Sequence, residues 1–210
     1  MRQLFLAQSF LAPALLAGAL ALGAAVPAFA QDAQPVRVRG TIAAVAGDTL
    51  TVTSREGPAV TIQMKPDVGV RAVRAAAAAD IKPGDYVGVA SLPGEGGKAG
   101  ALEVLIFPAA MKGAGEGSYP WDLQPNSTMT NATVSNAVES VSGRELTLTY
   151  PTGSKQVTLP PNIPVVTFAD ATAADLKAGV PVFVPAQKAA DGTLSTGNVV
   201  VGSQGVVPPM

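Results

Sequence analysis

Apolar and polar residues alternate along short stretches of the chain, with turn residues between them. Val36, Val38 and Ile42 share one face of a strand, and Arg37, Arg39 and Thr41 share the other. Gly47-Asp48 reads as a hairpin turn before a second strand over 49–53. Arg55-Glu56-Gly57-Pro58 turns the chain into a third strand over 59–64. The alanine-rich stretch 73–81 is the one convincing helical pattern, and Lys82-Pro83-Gly84-Asp85 stops it. Strands over 86–91 and 101–107 follow, joined by the flexible turn Pro93-Gly94-Glu95-Gly96-Gly97.

The order then recurs. Thr49-Leu50-Thr51-Val52 aligns with Glu145-Leu146-Thr147-Leu148 at an offset of 96, and Asp80-Ile81-Lys82-Pro83-Gly84 with Asp175-Leu176-Lys177-Ala178-Gly179 at an offset of 95. The second series predicts strands near 132–141, 145–150, 155–159, 180–184 and 197–201, with a helical turn over 172–176. Three strands, a short helix and two strands is the order of the OB-fold, a small five-stranded Greek-key barrel. The expected fold class is therefore mainly β, with two tandem OB-like barrels over 36–107 and 131–203 and one short helix between strands three and four of each. An SH3-like barrel or an open β-sandwich is the competing architecture. A Gly-rich, aromatic linker over 108–130 and a disordered tail over 204–210 complete the expected organisation.

Residues 1–30 break the alternation. Arg2 is their only charge, an apolar stretch runs over about 11–26, and Ala28-Phe29-Ala30 ends it in the small-x-small pattern of a cleavage site. This predicts a Sec-type signal peptide cut after Ala30 and a periplasmic or secreted protein with no stable membrane span after cleavage. The remainder carries 13 Lys+Arg (the 14 of the chain less Arg2) against 15 Asp+Glu, a net charge of −2. That balance does not fit a nucleic-acid partner. The chain has no His and no Cys. It therefore has no imidazole base, thiolate nucleophile, disulfide or zinc–thiolate site of its own.

The string Gly40-Thr41-Ile42-x-x-Val45-x-Gly47-Asp48-Thr49-Leu50-Thr51-Val52, followed by Ala79-Asp80-Ile81-Lys82-Pro83-Gly84-Asp85-Tyr86-Val87, resembles a bacterial exported family known as domain of unknown function 5666. The second copy matches more loosely, with Val180 where the pattern has Asp. The resemblance implies an OB-like barrel outside the cytoplasm and carries no established activity.

Two groups stand out chemically. Arg37 and Arg39 share a strand face, and Arg71 and Arg74 adjoin the alanine run; together they would suit a phosphate or carboxylate, or form an ordinary solvated face. Tyr119-Pro120-Trp121-Asp122 holds the only Trp, placed either to stack on a ligand or to plug the junction between the barrels. The tentative ligand-binding residues are therefore Arg37, Arg39, Arg71, Arg74, Tyr119 and Trp121. Asn126-Ser127-Thr128 and Asn131-Ala132-Thr133 read as turn and strand-start residues. Asp80 and Asp85 lack the spacing of a calcium loop, and the methionines are scattered, so no metal and no cofactor is expected. The expected function is a non-catalytic binding or interaction module for an unidentified envelope protein or extended polymer. The alternatives are a structural or accessory envelope protein associated with a transport system and, third, an enzyme with close carboxylates or a Lys–Ser pair in a polar pocket.

Overall fold

The computed structural model describes residues 33–140 and 143–210; the expected signal peptide lies outside the described residues. Among the described residues, twelve strands form one continuous hydrogen-bonded sheet. Alternation is the cause, as the sequence predicted: β-branched residues on every second position pack inward while Thr, Arg and Gln face out.

The sheet closes on itself. β1 (Gln34–Ala46), β2 (Thr49–Ser54) and β3 (Ala59–Ala75) form a meander, and β11 (Pro181–Lys188) and β12 (Leu194–Gly202) complete it. β1 pairs β11, and β12 returns to β3 from Leu194↔Ile62 to Gly202↔Val73, giving a closed five-stranded barrel. A second circuit runs through β4 (Tyr86–Pro93), β5 (Ala99–Ile106), β7 (Thr128–Ser140), β8 (Gly143–Tyr150) and β9 (Gly153–Leu159). Its last contact is short, Ala99↔Val157 and Gly100↔Thr158. β10 (Val165–Asp170) joins the circuits, antiparallel to β3 and parallel to β5. β6 (Gly117–Pro120) lies against β7.

The two halves thus do not close separately over 36–107 and 131–203. Each circuit takes three strands from one half and two from the other. The physical reason lies in β3, which runs on for 17 residues instead of turning back after Met64. It carries the chain out of its own circuit and delivers β4 beside β7. Alternation fixes which face of a strand is buried, but not which half supplies its neighbour.

The expected helix over 73–81 is also corrected. β3 continues through Ala75, and only Ala78–Asp80 forms a 3-10 turn, capped by Asp80 accepting from the Ala77 amide at 2.8 Å. Ala173–Asp175 repeats this with Thr172 and Asp175. A nine-residue alanine-rich stretch is too short to hold a helix without tertiary support. Here Val73, Arg74 and Ala75 instead become ladder partners of Phe168, Thr167 and Val166.

Three apolar clusters follow from this plan. Val38, Ile42, Leu50, Val52 and Ile62 fill the barrel together with Val182, Val184, Val199 and Val201 from the other half. Val87, Val89 and Val104 meet Ala132, Val134, Leu146, Leu148 and Val157 in the second circuit. The third cluster joins Val73, Leu105, Val166, Phe183, Val200 and Met210, with Phe107, Trp121 and Phe168 packed against it. In the tail, Pro208, Pro209 and Met210 are buried, and the backbone oxygen of Met210 accepts from Arg39 Nε. No helix among the described residues is long and apolar enough to cross a membrane.

Candidate functional site

Trp121 is positioned by a tight turn. Its amide donates to the Ser127 carbonyl at 2.8 Å, and Ser127 Oγ donates back to the Trp121 carbonyl at 2.9 Å. β6 pairs Tyr119 with Met129 across β7, which brings the Tyr119 and Trp121 rings edge to face at 6.2 Å. Arg37, on the outer face of β1, stacks its guanidinium on Trp121 at 3.9 Å from the ring centroid.

Arg39 is almost completely buried, at 1% exposure. It donates to Asp122 Oδ1 at 2.6 Å and to the Met210 oxygen, and its Nη1 lies 3.5 Å from Glu56. Asp122 also faces Arg37 at 3.5 Å. Burial works against ionised Asp122, yet the Arg39 hydrogen bond and the charges of Arg39 and Arg37 outweigh it and hold the carboxyl below its ordinary value. Four of the six residues singled out from sequence therefore meet in one place: Arg37, Arg39, Tyr119 and Trp121. The other two do not join them. Arg71 lies over Phe168, 5.9 Å from the ring centroid, and Arg74 is exposed on β3. An anion seat built from all four arginines is therefore not what the fold assembles, because β3 leads its two away from the strand face of Arg37 and Arg39.

Behind Trp121 and Tyr119 lies a recess with a cavity volume of about 90 Å³, walled by Leu105, Phe107, Met129 and the tail residues Pro209 and Met210. Its floor is Gly88. A side chain there would begin 2.7 Å from Asn131 Oδ1 and 3.2 Å from the Phe107 ring, so glycine keeps the space open. Asn131 Nδ2 donates to the Ala114 carbonyl and to Tyr119 Oη, both at 3.2 Å, which fixes the amide orientation.

The recess contains a charge the sequence reading missed. Glu103 on β5 is 5% exposed, and its Oε1 has no hydrogen-bond partner. Burial pushes its carboxyl up to about 7, against the opposing charges of Arg39 and Arg55. The signal was legible: Glu103 shares the alternating face of Leu105 and Phe107, where an apolar residue is the norm. Trp121 Nε1 is likewise buried without a partner.

A Lys–Ser pair also exists, but inside the second circuit. Lys155 Nζ donates to Ser91 Oγ at 3.0 Å, Thr128 Oγ1 at 2.6 Å and Thr130 Oγ1 at 3.4 Å. Ser91 is 0% exposed, so no substrate carbonyl reaches its oxygen in this arrangement. Burial lowers the Lys155 amine from its ordinary value. Among the described residues no three acidic side chains converge as a metal ligand set.

Comparison of the chain with family models, with curated proteins and with solved structures gave no match. The functional reading therefore rests on the geometry of the recess.

Proposed function

We propose that the protein is an exported, non-catalytic binding module whose ligand seat is the recess beneath Trp121. We read both circuits as OB-like barrels of the domain of unknown function 5666 type, with strands exchanged between the copies. The observation that carries the binding reading is Glu103: a carboxyl without a hydrogen-bond partner at Oε1, in a largely apolar hollow. Such a group costs stability unless something else completes its hydrogen bonds. Export rests on the sequence pattern of residues 1–30.

The test is a thermal-shift panel of amines, carboxylates, nucleotides, glycans and peptides on the chain from Gln31 onward, with Trp121→Ala alongside. Binding predicts that one class raises the Tm of the native chain and that the shift disappears in Trp121→Ala. A panel without effect, with Trp121→Ala merely lowering the Tm, refutes it. That outcome favours the second reading, an accessory envelope protein in which Trp121 is a structural plug. The stacking of Arg37 on Trp121 and the place of Trp121 beside the third apolar cluster speak for that reading.

A further inference from the structure

We propose that the recess takes a primary ammonium group carried on an apolar body, with the Glu103 carboxylate and Asn131 Oδ1 receiving its protons. This rests on the binding reading above and adds the chemical class of the ligand.

The argument starts from which groups are already occupied. Arg37 and Arg39 are the obvious receptors for an anion, but both are engaged within the molecule. Arg37 is stacked on Trp121 and faces Asp122, and Arg39 bonds Asp122 and the Met210 oxygen; its Nη1 lacks a hydrogen bond, but Arg39 is not part of the recess lining. An anionic ligand would first have to displace a carboxylate held at 2.6 Å.

The recess lining itself holds a buried acceptor without a partner. Glu103 Oε1 is buried without a donor. Asn131 spends its amide hydrogens on Ala114 and Tyr119, and its Oδ1, an acceptor, stands over the Gly88 floor. A primary ammonium brings three donors, enough in number for both oxygens. Of the side chains that line the recess, Trp121 also has a buried donor without a partner, Nε1, and leaves room for an acceptor on the same ligand.

The walls define the rest of the molecule. Leu105, Phe107, Met129 and the ring of Tyr119 offer apolar and aromatic surface, which suits an alkyl or aryl body and gives a cation the negative face of a ring. A quaternary ammonium has the charge but lacks the N–H groups, and would donate to neither oxygen. Arg39 and Arg55 oppose a second positive charge at a distance, but no hydrogen bond joins either of them to Glu103 Oε1. Direct donation is what Glu103 lacks.

The experiment uses the fact that Trp121 is the only Trp, so its fluorescence reports this site alone. The probes are 2-phenylethylamine, 2-phenylethanol and 3-phenylpropanoate, which share an aryl body and differ in the head group. The amine should change Trp121 fluorescence and raise the Tm, the alcohol and the acid should do neither, and Glu103→Gln should weaken amine binding at least about tenfold at pH 8. With the unmodified chain, amine affinity should rise about tenfold from pH 6 to pH 8 as Glu103 ionises, because the amine stays charged throughout. This pH arm stands even if the variant fails to fold. Equal response to the acid, undiminished amine binding in folded Glu103→Gln, or a flat pH profile each overturns the ammonium assignment. If the acid or the alcohol binds in a Trp121-dependent way, the binding reading survives and the ligand class does not. Silence with all three probes overturns the class, and the wider panel then decides whether the recess binds anything.

Discussion

Glu103 and its neighbours on β5 show how much one position alters the chemistry of a strand. Leu105 and Phe107, on the same face, pack into or against the third apolar cluster, while Glu103 leaves a carboxyl facing the recess. Its value near 7 in the folded chain, against 4.5 for the free group, makes stability depend on pH. The unfolded chain gives up this proton first, so stability falls as pH rises from about 4.5 to about 7 and is flat above that. Glu103→Gln removes this dependence. It is expected to be more stable than the native chain at pH 8, by on the order of 3 kcal/mol, and to lose that advantage near pH 4.5, as urea titrations at the two pH values would show. A second residue prediction concerns Gly40, where an added Cβ would lie 2.1 Å from the Thr53 carbonyl oxygen. Gly40→Ala must push β1 from β2, and calorimetry should record a large drop in Tm. At this scale the sequence reading found Arg37, Arg39 and Trp121 because rare or clustered residue types draw notice. It passed over Glu103 because a single acid in a strand is ordinary until its burial is known.

The strands show what the repeat kept and what it changed. β1 and β7 carry the same bulge, between Ile42 and Ala44 and between Val134 and Asn136. Aligning the bulges places Val36, paired with Ala186, against Thr128, paired with Ser91. Val38 and Val60 correspond in the same way to Thr130 and Lys155. One circuit therefore holds four apolar side chains where the other holds an ammonium bonded to three hydroxyls. Burying an ammonium without a carboxylate is costly, whereas the apolar set needs no partners. The fourfold variant Ser91→Ala, Thr128→Val, Thr130→Val, Lys155→Val is expected to fold and to melt at a higher temperature than the native chain. Lys155→Ala alone, which leaves a void among the hydroxyls, should melt lower. The strands themselves were legible because their period of two is unambiguous. The alanine run was not, because helix propensity over nine residues loses to the ladder that Val73, Arg74 and Ala75 complete with β10.

The whole molecule is tied together by pairings that cross almost its full length. Gln34 on β1 faces Lys188 on β11, and Ile62 on β3 faces Leu194 on β12. Such long-range closure makes folding slow relative to a chain of local hairpins and couples the two circuits into one unit. A single cooperative unfolding transition is expected by calorimetry, with equal calorimetric and van't Hoff enthalpies. A fragment spanning 31–110 lacks two strands of its barrel and should remain unfolded alone, gaining β-type circular dichroism only when mixed with 111–210. Two separate melting steps, or a folded 31–110, would contradict the exchange. This level was the least legible in the sequence, since repeat and alternation are equally compatible with self-contained and interlaced halves.

Val73 and its counterpart in the repeat, Phe168, face each other across β3 and β10, as equivalent residues do at the centre of a symmetric dimer interface. One repeat by itself would lack two strands of its circuit and could complete it only by borrowing them from a second copy. Residues 108–127 then act as a tether. They turn what would be a concentration-dependent association into an intramolecular one, and leave the two circuits free to differ, as they do where Val36, Val38, Val60 and Ala186 stand against Thr128, Thr130, Lys155 and Ser91.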